Sequence, residues 1–105
     1  MADVAGFFNE LPNKIDSSKI AGMNATYQFI VTGDNGGEWH VKLADGKADV
    51  AAGKADSPNI TLTVSDENWI GIVTGKLSGQ TAFLTGKLKI QGDMSLAMKL
   101  QNILG

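Results

Sequence analysis

The sequence predicts an α+β fold, a five-stranded, mainly antiparallel sheet covered on one face by about four to five short helices. Two observations predict it. Five segments alternate apolar and polar side chains with a period of two, so each strand has one apolar and one polar face. The remaining apolar residues recur at helical spacing, and their stripes need the apolar face of the sheet to bury against. The 105 residues suit one domain. A domain of that size buries roughly two-thirds of the surface its unfolded chain exposes.

Val4, Phe7, Phe8 and Leu11 fall at i, i+3, i+4 and i+7, the stripe of a short amphipathic helix. Asp3 is its expected N-cap and Pro12 its expected stop. The polar connector NKIDSSKIAGM follows, with Ile15 and Ile20 as anchors. In TYQFIVT, from residue 26, Tyr27, Phe29 and Val31 share a face opposite Gln28, Ile30 and Thr32. GDNGG is a turn, after which EWHVKLA sets Trp39, Val41 and Leu43 against Glu38, His40 and Lys42. Asp45-Gly46 signals a two-residue hairpin into KADVAA, a weak strand with Ala48, Val50 and Ala52 on one side. NITLTVS aligns Ile60, Leu62 and Val64, and KLKIQ sets Leu88 and Ile90 against Lys87, Lys89 and Gln91.

Ser65 is placed to cap a helix whose first turn holds Asp66 and Glu67 and whose inward stripe is Trp69, Ile72 and Val73. Gly75 is its natural stop. SGQTAFLTG makes a second short helix, ending at Gly86. The tetrapeptide TGKL thus occurs at 74–77 and again at 85–88, read here as two helix exits with the same chemistry. Asp93 caps the last helix, MSLAMKLQNIL.

Composition excludes much. A net charge of −2 leaves no electrostatic footprint for nucleic acid, and the lysines occur singly, with no run to hold an anionic membrane strongly. Without cysteine there is no disulfide, thiolate catalysis or Cys-rich zinc site. The start, MADVAGFFNELPNK, lacks the basic and unbroken apolar regions of a signal peptide. No stretch approaches the roughly 18 apolar residues of a membrane span, so a cytoplasmic location is expected. His40 shares the outward face with Glu38 and Lys42 and is expected to be solvent-exposed, a poor base without an acid or metal partner. The acids are scattered, and GIVTGKL misses a phosphate loop by one spacer and by Leu77 where Ser or Thr is required. No catalytic residue, metal site or cofactor is expected.

What remains is an apolar surplus. In the final helix Leu96, Leu100, Ile103 and Leu104 make one stripe, Met94 and Met98 form an adjoining ridge, and only Ser95, Lys99 and Asn102 are clearly polar. That is more apolar circumference than packing on one sheet face requires. Two accounts stand: a solid core in which methionine plugs gaps, or a cavity lined by pliable side chains with Trp39 and Trp69 as flat walls.

The run SDENWIGIVTGKLSGQTAFLTGKLKIQGDMSLAMKLQNIL resembles the C-terminal half of the sterol carrier protein type-two domain family. The likeness extends back through GEWHVKLADG and ATYQFIVTG, covering nearly the whole chain, and is most specific in SDENW, FLTGKLKIQGDM and AMKLQ. The resemblance implies an apolar tunnel between sheet and helices that holds lipid without catalysis. Its partners would be long-chain fatty acid, fatty acyl-CoA or a sterol-like lipid, with transient membrane contact during transfer. Carried over by position, its lining would be Trp69, Ile72, Val73, Phe83, Ile90, Met94 and Met98, to which strand parity adds Trp39, Val41 and Leu62. Lys76, Lys87 and Lys89 would meet a carboxylate or coenzyme A phosphate at the mouth, unless they only keep the surface wet.

Peroxisomal members end in a small-basic-Leu tripeptide, whereas this sequence ends in Ile103-Leu104-Gly105. The expectation is a free-standing cytoplasmic protein, or else one domain of a larger lipid-metabolism protein. The competing function is an interaction or dimerisation module with a closed core, its final helix docking a partner or a second copy.

Overall fold

The computed structural model describes residues 4–104. The chain runs α1 (Val4–Lys14), a 3-10 turn (Ser17–Lys19), β1 (Ala25–Thr32), β2 (Gly37–Ala44), β3 (Lys47–Ala52) and β4 (Ile60–Ser65). It continues α2 (Asp66–Val73), α3 (Gly79–Leu84), β5 (Leu88–Gly92) and α4 (Met94–Leu104). Asp3 and Gly105 lie outside the described residues, as do the side chains of Asn102 and Leu104.

The five strands form one sheet in the order β3-β2-β1-β4-β5. Pairing is antiparallel for β1–β2, β2–β3 and β4–β5, and parallel for β1–β4 at the centre. The parallel pair arises because residues 53–59 carry the chain from edge strand β3 back to the middle. That crossover is tied down on the outer face: Gly53 N donates to the Glu38 carbonyl (2.8 Å) and Asn59 N to that of Thr26 (2.9 Å). Gln28 serves the same end, its Oε1 accepting from Ala55 N (2.7 Å) while Nε2 donates to the carbonyls of Trp39 (3.1 Å) and Gly53 (3.2 Å). The outward-facing glutamine is therefore buried, its polar atoms matched as burial demands.

On the inner face, register assembles apolar rows across the sheet. One row is Ala52, Trp39, Phe29, Leu62 and Ile90; the next is Val50, Val41, Tyr27 and Ile60. α1 packs over β3, α2 over β1 and β4, and α4 over β4 and β5. Val4, Phe8 and Leu11 of α1 are buried, as its period requires. Pro12 does not stop α1; the helix runs on to Lys14 because a proline's fixed φ is itself helical.

The two TGKL exits close with the same pair of backbone bonds. After α2, Gly75 N donates to Ile72 O (3.2 Å) and Lys76 N to Gly71 O (2.8 Å). After α3, Gly86 N donates to Phe83 O (3.2 Å) and Lys87 N to Ala82 O (2.8 Å). Each is a Schellman closure, with glycine at φ 81° or 80°, where a side chain would clash with the backbone. The N-caps match expectation too: Ser65 Oγ accepts from Asn68 N (3.2 Å), and Asp93 Oδ1 from Ser95 N (2.9 Å) and Oγ (2.6 Å).

Candidate functional site

Between sheet and helices lie two regions of different character. Under α1 and α2 the space is filled by aromatic rings. Phe8 stacks on Trp39 (centroids 4.6 Å apart) and on Trp69 (5.9 Å), and lies tilted over Phe29 at 5.2 Å. Phe7 closes the cluster edge-on to Trp69 at 5.5 Å. Such ring pairs stabilise beyond their buried area, by about 0.5–1.5 kcal/mol each. The Trp69 indole N–H is buried with no partner among the described residues.

Between α1 and α4 the filling stops. Leu11 of α1 and Ile15, just beyond its end, face Leu100 and Ile103 of α4 across Tyr27, Phe29, Val41 and Leu43 of the sheet, lining a cavity of about 10 Å³. That is room for a single water-sized sphere, against the ~300–1,000 Å³ of pockets that hold small molecules. The one polar atom of the lining side chains is turned aside: Tyr27 Oη donates to the Leu96 carbonyl at 2.7 Å, fastening α4 to the sheet. Burial, aided by the negative charge of Asp93, pushes the Tyr27 hydroxyl up to about 12, so it stays protonated and donating at neutral pH. Asp93, at the foot of α4, is held below the usual carboxylate range by the Ser95 hydroxyl and then by Ser95 N. The seam can shelter apolar matter, and Tyr27 is the one titratable group in its wall.

Of the ten residues expected to line a lipid site, Val41 reaches this cavity. Leu62 and Trp69 belong to the packed interior, and Trp39, Ile72, Val73 and Ile90 are half-buried against it. Phe83, Met94 and Met98 stand on the surface, exposed by 39%, 45% and 73%. Leu11, Ile15, Leu100 and Ile103 were not expected in the lining. Their stripes are legible, yet only the topology brings the first helix beside the last.

His40 departs from expectation. It is half-buried, and its Nδ1 lies 3.1 Å from the Gly53 carbonyl, because the crossover folds back over β2. It lines a polar surface groove of about 380 Å³ with Lys42, Asp49, Lys54 and Asp56. No group of three or more potential metal ligands occurs among the described residues.

Comparison with known proteins places this geometry. The family model described as the SCP-2 sterol transfer family matches residues 8–105. Sterol carrier protein 2 of Bos taurus is 37% identical over 105 residues, covering 91% of this chain and 19% of its own length. The chain spans no more than about a quarter of the curated relatives it matches. Apo sterol carrier protein 2 from Yarrowia lipolytica superposes with a TM-score of 0.78 at 27% identity, covering 93% of this chain and 86% of that one. Palmitated SCP2L2 from Aedes aegypti gives a TM-score of 0.80, covering 98% of this chain and 95% of that one; at 24% identity it speaks for the fold alone.

Proposed function

Since the chain belongs to the SCP-2 sterol transfer family, we propose that it is a non-catalytic carrier that takes one apolar lipid between α1, α4 and the inner face of the sheet. Long-chain fatty acid, fatty acyl-CoA and sterol-like lipids are the ligand class. The observation that carries the reading is the wholly apolar seam beneath a helix fastened to the sheet by a side-chain hydrogen bond. At about 10 Å³ the seam is too small for a lipid chain, so loading requires it to widen. Each methylene then buried contributes about 0.8 kcal/mol, so a chain of ten gives roughly 8 kcal/mol before the costs of opening and association.

Trp39, Leu62, Trp69, Ile72, Val73 and Ile90 form the floor and flank that opening would expose. A cytoplasmic carrier acting alone and a domain serving a larger lipid-metabolising protein both use the same seam. Among the described residues no helix is long and apolar enough to cross a membrane.

The test is to purify the chain from bacteria, extract it with organic solvent and identify lipids by mass spectrometry. About one equivalent of a long-chain lipid is expected, and Leu100→Trp, which fills the seam, should retain less. Lipid-free protein that also takes up no fluorescent fatty acid would instead favour the closed interaction module.

A further inference from the structure

Among the described residues, buried side-chain donors and acceptors are matched with one exception. Gln28 ties down the crossover and Tyr27 fastens α4, each through its own polar atoms. The indole N–H of Trp69 is sealed in the interior with nothing to accept it, in a residue only 2% exposed. A buried donor without an acceptor destabilises a fold, and native structures leave few of them.

Packing does not call for that donor. The Ser65 cap fixes the start of α2, and the helix sets Trp69 among Phe7, Phe8 and Phe29. Their ring centroids lie 5.5, 5.9 and 5.3 Å from that of Trp69. A fourth phenylalanine would join those rings and bring no polar atom inside. The rings themselves offer only π faces, which are weak acceptors. No buried charge answers the donor either: among the described residues the buried polar or charged one is Gln28, on the outer face of the sheet. Lys14 meets Phe7 from the exposed surface, its ammonium 5.8 Å from the ring centroid. Phe29 links the donor to the seam. It lines the seam and is tilted against Trp69, so a chain admitted beside Phe29 is one ring away from the indole.

Resting on the carrier reading above, we propose that the Trp69 N–H determines specificity, selecting an apolar chain that carries a ketone or ester carbonyl within its length. An indole N–H donates one hydrogen bond and accepts none. A carbonyl oxygen, which only accepts, answers it completely. A hydroxyl taking the same bond would bury its own O–H unpaired, and a carboxylate would bury a charge with no cation beside it. The favoured cargo is therefore an oxygenated chain rather than a plain saturated one.

The test uses the delipidated chain with heavy nitrogen in its two tryptophans, whose indole signals are read by NMR. The Trp69 signal is the one missing from Trp69→Phe. Stearate is titrated in, and then a series of oxostearates with the ketone moved along the chain. At least one oxostearate should shift the Trp69 indole proton downfield, as a new hydrogen bond does, while stearate leaves it in place. In competition with a fluorescent fatty acid, the advantage of that oxostearate over stearate should be roughly tenfold larger in the parent than in Trp69→Phe. Binding of stearate and every oxostearate alike, with no indole shift, would overturn the proposal and leave the carrier standing. An equal ketone advantage in parent and variant would overturn it too. So would an indole proton already downfield in the lipid-free chain and unmoved by any ketone, because a buried water would then be the partner. If neither stearate nor any oxostearate displaces the fluorescent acid, the carrier reading falls and the proposal falls with it.

Discussion

Tyr27 joins the sheet to the helix that closes the seam. Its hydroxyl donates to the Leu96 carbonyl from a buried position, and a hydrogen bond of this kind contributes about 1 kcal/mol net. Tyr27→Phe should therefore lower stability by about 1 kcal/mol, measured by urea unfolding, and speed amide exchange across α4 more than across β1. The same residue gives a pH signature. Its folded-state value, about 12, lies above the ordinary 10.0, so the protonated hydroxyl is favoured in the fold. That stabilisation is whole below pH 10 and is lost as pH climbs toward 12. Alkaline unfolding of the phenylalanine variant should lack that part of the loss, which a pH series of melting curves checks. In the sequence Tyr27 reads as one more inward strand residue; its hydroxyl's partner lies 69 positions away, beyond any local pattern.

At the scale of elements, the local chemistry of caps and turns was legible in full where it repeats. TGKL closes α2 and α3 with the same pair of backbone bonds, each around a glycine at positive φ. Alanine in the left-handed region costs about 1–2 kcal/mol, so Gly75→Ala and Gly86→Ala should each lower Tm by several degrees and by similar amounts. Unequal losses in differential scanning calorimetry would mean the two exits differ in their surroundings. The α4 stripe was legible as well: Leu96 and Ile103 are buried and Leu100 half-buried, while Met94 and Met98 fall on the open face. Periodicity identified the methionine ridge but not its surroundings. A ridge beside a buried stripe can border either a neighbouring helix or solvent, and here it borders solvent.

For the whole molecule, five strands with one apolar face each were enough to specify an α+β layer pair, because alternation with a period of two fixes which side chains share a face. The crossover of residues 53–59 was not legible. It passes through polar, Gly-containing sequence, and it both makes β4 parallel to β1 and buries Gln28 on the supposedly wet face. The candidate site was legible only in part for the same reason. Val41 follows from parity, but Leu11 and Leu100 border one seam only because the fold sets α1 and α4 over the same part of the sheet. Lipid loading as proposed therefore needs the seam between α1 and α4 to widen.

That widening is best read with a spin-labelled fatty acid and methyl NMR on the delipidated chain. Paramagnetic broadening is predicted at Leu11, Ile15, Leu100 and Ile103, with Leu84 unaffected. Broadening confined to Leu84 and its surface neighbours, with sharp methyl signals from the seam, would contradict a lipid held between α1 and α4.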